Sequence, residues 1–200
     1  MKIKLMYAGA VISMVFGLGG MIIGFALLSF FIGFTSMASF VFGVTKFISL
    51  DKRKKIKTKN DELFVAWLVF YCTAIISFLH FSFAIVDTFF HPDIIKYNFL
   101  MIIYFSVMAF VNIVVGAING ILAIRNKNLI IHHLTFIDLA NSIIGLSLAQ
   151  RAILYYVDFP HARLVSCIGG IFFSILAGLV CLIMYRKQVK QSYISAKKGG

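Results

Sequence analysis

Hydrophobic residues run through this chain in long blocks separated by short polar clusters, and the first block is the longest. From Leu5 to Thr45 there is no charged side chain, an apolar run of about 41 residues, twice what one helix needs to cross a bilayer. Four more apolar segments follow, at 63–86, 98–124, 133–156 and 164–185. Each is long enough to cross, and each must be helical, because irregular backbone facing lipid leaves amide groups unpaired. Asn60, Asp61 and Glu62 are expected to open the third span, a capping residue followed by acids at the positive end of a helix. Pro92, after His91, is expected to stop it.

The opening run is either one very long helix or two helices folded back on each other. A hairpin turning near 24–33 returns Lys2 and Lys4 to the side of the 52–59 basic cluster, as the positive-inside rule prefers. A single helix would protrude some 30 Å beyond the bilayer core. Six spans are therefore favoured, with five as the alternative. Lys2 and Lys4 ahead of an apolar run, with Ser36, Met37 and Ala38 as a small-residue site, resemble a signal peptide. Signal-peptide apolar regions are only about 7 to 15 residues long, so this one is expected to be retained.

Six spans place 16 basic residues on one side: Lys2, Lys4, Lys46, the cluster Lys52, Arg53, Lys54, Lys55, Lys57 and Lys59, then Arg125, Lys127, Arg186, Lys187, Lys190, Lys197 and Lys198. Only Lys96 and Arg163 fall clearly on the other, which puts both termini in the cytoplasm. The expectation is an all-α, polytopic transmembrane helix bundle forming one domain over 1–200. Within it, 1–50 is an N-terminal helical hairpin, 51–62 a basic cytoplasmic loop, 63–185 a four-helix portion and 186–200 a basic cytoplasmic tail. Composition agrees: 61% hydrophobic and 13% charged residues, with a mean hydropathy of +0.97, lie outside the usual soluble range. Short loops and inward termini fit a bacterial inner membrane.

A net charge of +12 raises the question of nucleic acid. The basic residues hug span ends and lack the interleaved aromatics such binding needs, so no nucleic acid partner is expected. Anionic lipid headgroups suit Lys52, Arg53, Lys54, Lys55, Lys57 and Lys59 better, at about 1 kcal/mol per basic residue near the surface. Plain topology control is the alternative reading of that cluster. Cys72, Cys167 and Cys181 are odd in number and sit in apolar spans, so they read as packing residues. His91, Asp93, Asp158 and His161, with Asp87, have metal-ligand chemistry but no diagnostic spacing. No metalloprotease, Walker, dinucleotide or serine-hydrolase motif is present, and no metal, cofactor or enzymatic activity is expected.

Small residues recur four apart in the hairpin, at Gly9, Ser13 and Gly17, at Gly20 and Gly24, at Ser29 and Gly33, and at Thr35, Ser39 and Gly43. The last span repeats the device with Ser166, Gly170, Ser174 and Gly178. Such spacing lets helix backbones approach, so Gly20, Gly24, Gly170 and Gly178 are expected at packing seams, within the chain or toward a partner protein or second copy.

Polar residues also form stripes. Thr73, Ser77, His80, Ala84 and Asp87 share one face of the third span, and Asn112, Gly116 and Asn119 one face of the fourth. Asp138, Asn141, Ser142 and Gly145 align on the fifth, the richest face in the chain. An ionised Asp138 inside a span is costly unless it is hydrogen-bonded, protonated or turned to the interior, and His132, Asn141 or a basic loop residue are its expected partners. Arg151 is expected to snorkel toward the outer headgroups.

These stripes suggest a small-solute transport component, its site built by spans three to five from His80, Asn112, Asn119, Asp138, Asn141 and Ser142. An ion gradient or a separate motor would supply the energy. Size, span number and inward termini are similar in outline to the substrate-binding subunits of energy-coupling-factor vitamin transporters, with no shared motif. The alternative is a non-catalytic structural or regulatory subunit docking partners through the small-residue seams.

Overall fold

The computed structural model describes residues 2–27, 29–55, 58–90, 97–124 and 129–199, with side chains for all of these but 2, 3, 54, 55, 87–90, 122–124 and 194–199. Among the described residues the chain forms six α-helices: α1 (Lys2–Ala26), α2 (Phe30–Lys55), α3 (Lys59–Phe90), α4 (Phe99–Ile124), α5 (Leu129–Tyr156) and α6 (Ala162–Gly199). All six are long and apolar enough to cross a membrane. The chain is built as a multi-pass membrane protein. The opening run is a hairpin, α1 ending at Ala26 and α2 starting at Phe30, and beside the turn Ser29 N–H bonds Gly24 C=O at 2.8 Å and Ser29 Oγ accepts the Ile32 amide.

Helices outlast their apolar runs. Lys52–Lys55 continue α2 and Lys59–Glu62 begin α3, so most of the expected 51–62 loop is helix. Basic side chains are good helix formers, and hydropathy cannot tell such an extension from a loop. The start of α3 is capped two residues ahead of expectation, by Thr58. Thr58 Oγ1 accepts the Asp61 amide, and Asp61 Oδ2 accepts the Thr58 amide, both at 3.2 Å, a reciprocal capping box. Glu62 instead caps a neighbour, accepting the Leu129 amide at 2.8 Å where α5 begins. In the same way α6 runs through the expected tail, anchored where Gln188 Nε2 donates to Leu63 C=O at 3.1 Å.

Helix α5 is the centre. It packs against α2, α3, α4 and α6, while α1 lies on α2 and α4. Its most apolar window is 67% buried against 28–50% in the others, whose remaining faces carry exposed residues such as Phe78, Phe110 and Phe172. Those exposed faces suit lipid. Aromatic clusters mark both ends, Trp67 with Phe70, Tyr71 and Tyr185 at one and Tyr97 with Tyr155 at the other, as at membrane–water interfaces.

The hairpin seam is a backbone contact. A side chain at Gly17 would meet the Phe40 backbone, at Gly20 the Ser36 side chain and at Gly24 the Gly33 backbone. Gly170 lies against Ala84 of α3, 3.3 Å from where its Cβ would stand. Gly178 differs: a Cβ there meets nothing within 4 Å, so no close approach inside the chain depends on it.

Candidate functional site

Inside a low-dielectric helix packing, an ionised side chain persists only with a counter-charge and its hydrogen bonds satisfied. Asp138 is 4% exposed and has both. Lys46 Nζ donates to Oδ1 at 2.6 Å and to Oδ2 at 2.7 Å, and Asn119 Nδ2 donates to Oδ2 at 2.6 Å. Lys46 itself is 1% exposed. It fits because α1 carries Gly9 opposite, where a Cβ would stand 3.2 Å from Nζ and 2.7 Å from Val115. Thr135 steadies Asn119 from below, its hydroxyl donating to the Asn119 carbonyl at 3.2 Å.

One turn along α5 lies a neutral layer. Ser39 Oγ donates to Asn141 Oδ1 at 2.6 Å, Asn141 Nδ2 donates to Ser13 Oγ at 3.4 Å, and Ser13 Oγ donates to Asn112 Oδ1 at 3.4 Å. The two layers therefore join α1, α2, α4 and α5. Each hydrogen bond here is worth about 1 kcal/mol. Ser39→Ala is expected to cost about 1–2 kcal/mol, the upper part arising from the stranded Asn141 oxygen, measured by unfolding in detergent against the wild type.

Most of the expected site residues come together, but the frame differs from spans three to five. Asn112, Asn119, Asp138 and Asn141 meet, and Ser142 lines the same face while its hydroxyl donates to Asp138 C=O at 2.7 Å. His80 is placed elsewhere: its Nδ1 lies 2.8 Å from Ser174 Oγ of α6, and its ring is 5.9 Å from that of Phe31. The α3 stripe turns toward α6, as the Ser77–Cys181 contact at 3.8 Å also shows. The helices that replace α3 in the polar layers are α1 and α2.

Lys46 is the residue that sequence reasoning missed, assigned to the surface because it follows an uncharged run. A signal existed: Lys46 stands as far from the Lys55 end of α2 as Asp138 from the Leu129 start of α5, so antiparallel helices bring them level. Ser13 and Ser39, read as packing residues, carry hydrogen bonds. Arg151 does not snorkel; it is 6% exposed and its guanidinium lies 4.4 Å from the Phe31 ring centroid.

Of the basic cluster, Lys52 and Lys59 are exposed and Arg53 is half-buried. Lys57 and the side chains of Lys54 and Lys55 lie outside the described residues, as do His91, Asp93 and the side chain of Asp87. Among the described residues no three His, Cys, Asp or Glu side chains gather. A groove of about 430 Å³ opens beside the hairpin turn, lined by apolar residues including Phe25, Phe30, Phe34 and Phe83. None of its lining residues belongs to the polar layers. In comparisons with known proteins, no family model, curated protein or solved structure matches the chain.

Proposed function

We propose that the six helices form a transmembrane bundle, both termini cytoplasmic, acting as a small-solute transport component whose working group is Asp138. The positive-inside asymmetry supports the orientation, and the exposed Lys52 and Lys59 suit contact with anionic headgroups. One observation carries the transport reading: a salt bridge with 1% and 4% exposed partners is built into the apolar interior. For stability alone, apolar residues of the same volume serve as well or better, so a buried ion pair earns attention as a device that uses charge. Lys46 then acts as a tethered cation, filling the carboxylate until a transported species displaces it. Asn119 orients the carboxylate, and its own Oδ1, buried without a partner, leaves one acceptor open beside it.

The second reading, a non-catalytic subunit, is favoured by the saturation of Asp138, since both oxygens are already bonded. A pair that never opens is a strut. The two readings part on exposure of membranes holding the protein to dicyclohexylcarbodiimide, an apolar reagent that modifies carboxyls in their protonated form. A pair that opens yields an adduct on the Asp138 peptide in mass spectrometry. An intact, folded protein with Asp138 unmodified contradicts the transport reading and leaves the strut.

A further inference from the structure

Buried polar atoms without hydrogen-bond partners trace a path from Asp138 toward the end of the structure that holds the hairpin turn. Beside the neutral layer stands Asn112 Nδ2, and one turn beyond Ser39 on the same face of α2 stands Thr35 Oγ1, fully buried. A further turn reaches Phe31, against which His80 of α3 packs, fully buried, with Nε2 unpartnered. Ser147 Oγ, also unpartnered, sits beside Gly170 on the α6 side of His80. Ser39 to Thr35 is about 6 Å at helical rise, a step that one water hydrogen-bonded at both ends, at about 2.8 Å each, covers. From Thr35 the path runs another turn to the level of Phe31 and on to His80, whose ring lies 5.9 Å from that of Phe31, a step that takes more than one water. Buried water is also the usual partner of buried polar atoms that the chain leaves unsatisfied.

The path is narrow. Ser39 and Asn141 meet at 2.6 Å, and Gly17 brings α1 onto the α2 backbone next to Ser39. Asp138 is the one carboxylate of its layer among the described residues, whereas hard metal cations take about six or more oxygens. Single donors and acceptors, without the oxygen cage of a metal site, suit a proton.

We propose that the species taken up at Asp138 is the proton, passed along the His80 ring and the Thr35 and Ser39 hydroxyls with ordered waters between them and before Asp138, while the Asn141 amide holds Ser39 in place and carries no proton. This deepens the transport reading and rests on it. A proton entering from the hairpin-turn face reaches the buried His80 through ordered water, binds Nε2 and leaves from that same nitrogen to the next water, while Nδ1 stays on Ser174. Each intervening water or hydroxyl accepts one proton and releases another, ending unchanged. At Asp138 an O–H bond forms, the carboxylate becomes neutral, and the Lys46 ammonium is released with its charge, taking the layer from net zero to net +1. Loss of the proton restores the pair.

The test is proton entry into liposomes holding the protein and pyranine, driven by a valinomycin-clamped potassium gradient. The wild type is expected to acidify the lumen faster than empty liposomes. Thr35→Val and His80→Phe should each cut that rate about tenfold or more, the loss of one hydrogen-bonding station. Phe110→Leu, on the lipid side, should leave it unchanged. Wild-type flux equal to that of empty liposomes, or flux indifferent to both substitutions, overturns the proposal. If Asp138 still takes the carbodiimide in that case, the transport reading survives and only the proton falls. Where the substituted proteins do not fold, radiolytic hydroxyl-radical footprinting of the wild type decides. His80 and Phe31 oxidised well above the lipid-facing Phe110 supports the path, and oxidation no greater than that of Phe110 overturns it.

Discussion

Asp138→Asn alone is expected to destabilise the protein by about 3–5 kcal/mol, the largest loss from any single polar substitution in the chain, because it strands the Lys46 ammonium. The shape of the layer survives the change and its charge balance does not. Lys46 is 1% exposed, and its Nζ has both carboxylate oxygens as acceptors. Lys46→Met should cost a similar amount, since it leaves the carboxylate with Asn119 as its one remaining donor among the bonds above. The double variant, Lys46→Met with Asp138→Asn, should recover most of the loss, because two neutral side chains of similar volume need no counter-charge. Unfolding of all four proteins in one detergent gives the coupling. Two single losses that simply add would mean that the groups do not share a bond. Recovery of the fold in the double variant also separates roles, since a strut needs only the fold whereas a carrier needs the carboxylate.

Gly17→Leu and Gly24→Leu are the second large effect, expected to abolish the folded hairpin, whereas Gly178→Leu should leave stability within about 0.5 kcal/mol. At Gly17 a Cβ would stand 2.7 Å from Phe40 Cα, and at Gly24 it would stand 2.6 Å from Gly33 Cα. Backbone on the far side cannot rotate away as a side chain can, so α1 must leave α2. Overpacking of ordinary cores already costs about 1–3 kcal/mol, and here the displaced helix also carries Ser13 and Gly9 out of the polar layers. Gel filtration of the fluorescently tagged variants reads the outcome directly. A monodisperse Gly24→Leu with wild-type melting would mean that the two helices do not touch there.

Much of the architecture was legible because it rests on local physics. Span length follows from apolar runs, the hairpin from the position of Lys2 and Lys4, and the reversal between Ala26 and Phe30 from the weakly polar stretch that holds it. The misreadings have a common cause. Lys46 looks like the first charge after a span, because a window along the chain records polarity and not depth, and its partner lies 92 residues away. His80 shares a helical face with Ser77, yet which neighbour that face meets depends on the order of helices around α5, and it meets Ser174 of α6. Serines four apart lent themselves to one reading, close packing, although Ser13 and Ser39 do both jobs at once. Thr58 was passed over as the cap of α3 because the basic run before Asn60 hid how far the helix extends.

The account stands on a charged contact buried between two helices, and solid-state NMR in lipid bilayers measures it without perturbing it. With ¹⁵N on the lysine amines and ¹³C on the aspartate carboxyls, dipolar recoupling should place Lys46 Nζ and the Asp138 carboxyl carbon within about 4 Å, with the carboxyl at the chemical shift of an ionised group. Absence of that coupling, with Lys46 resonating as a water-exposed amine, would contradict it.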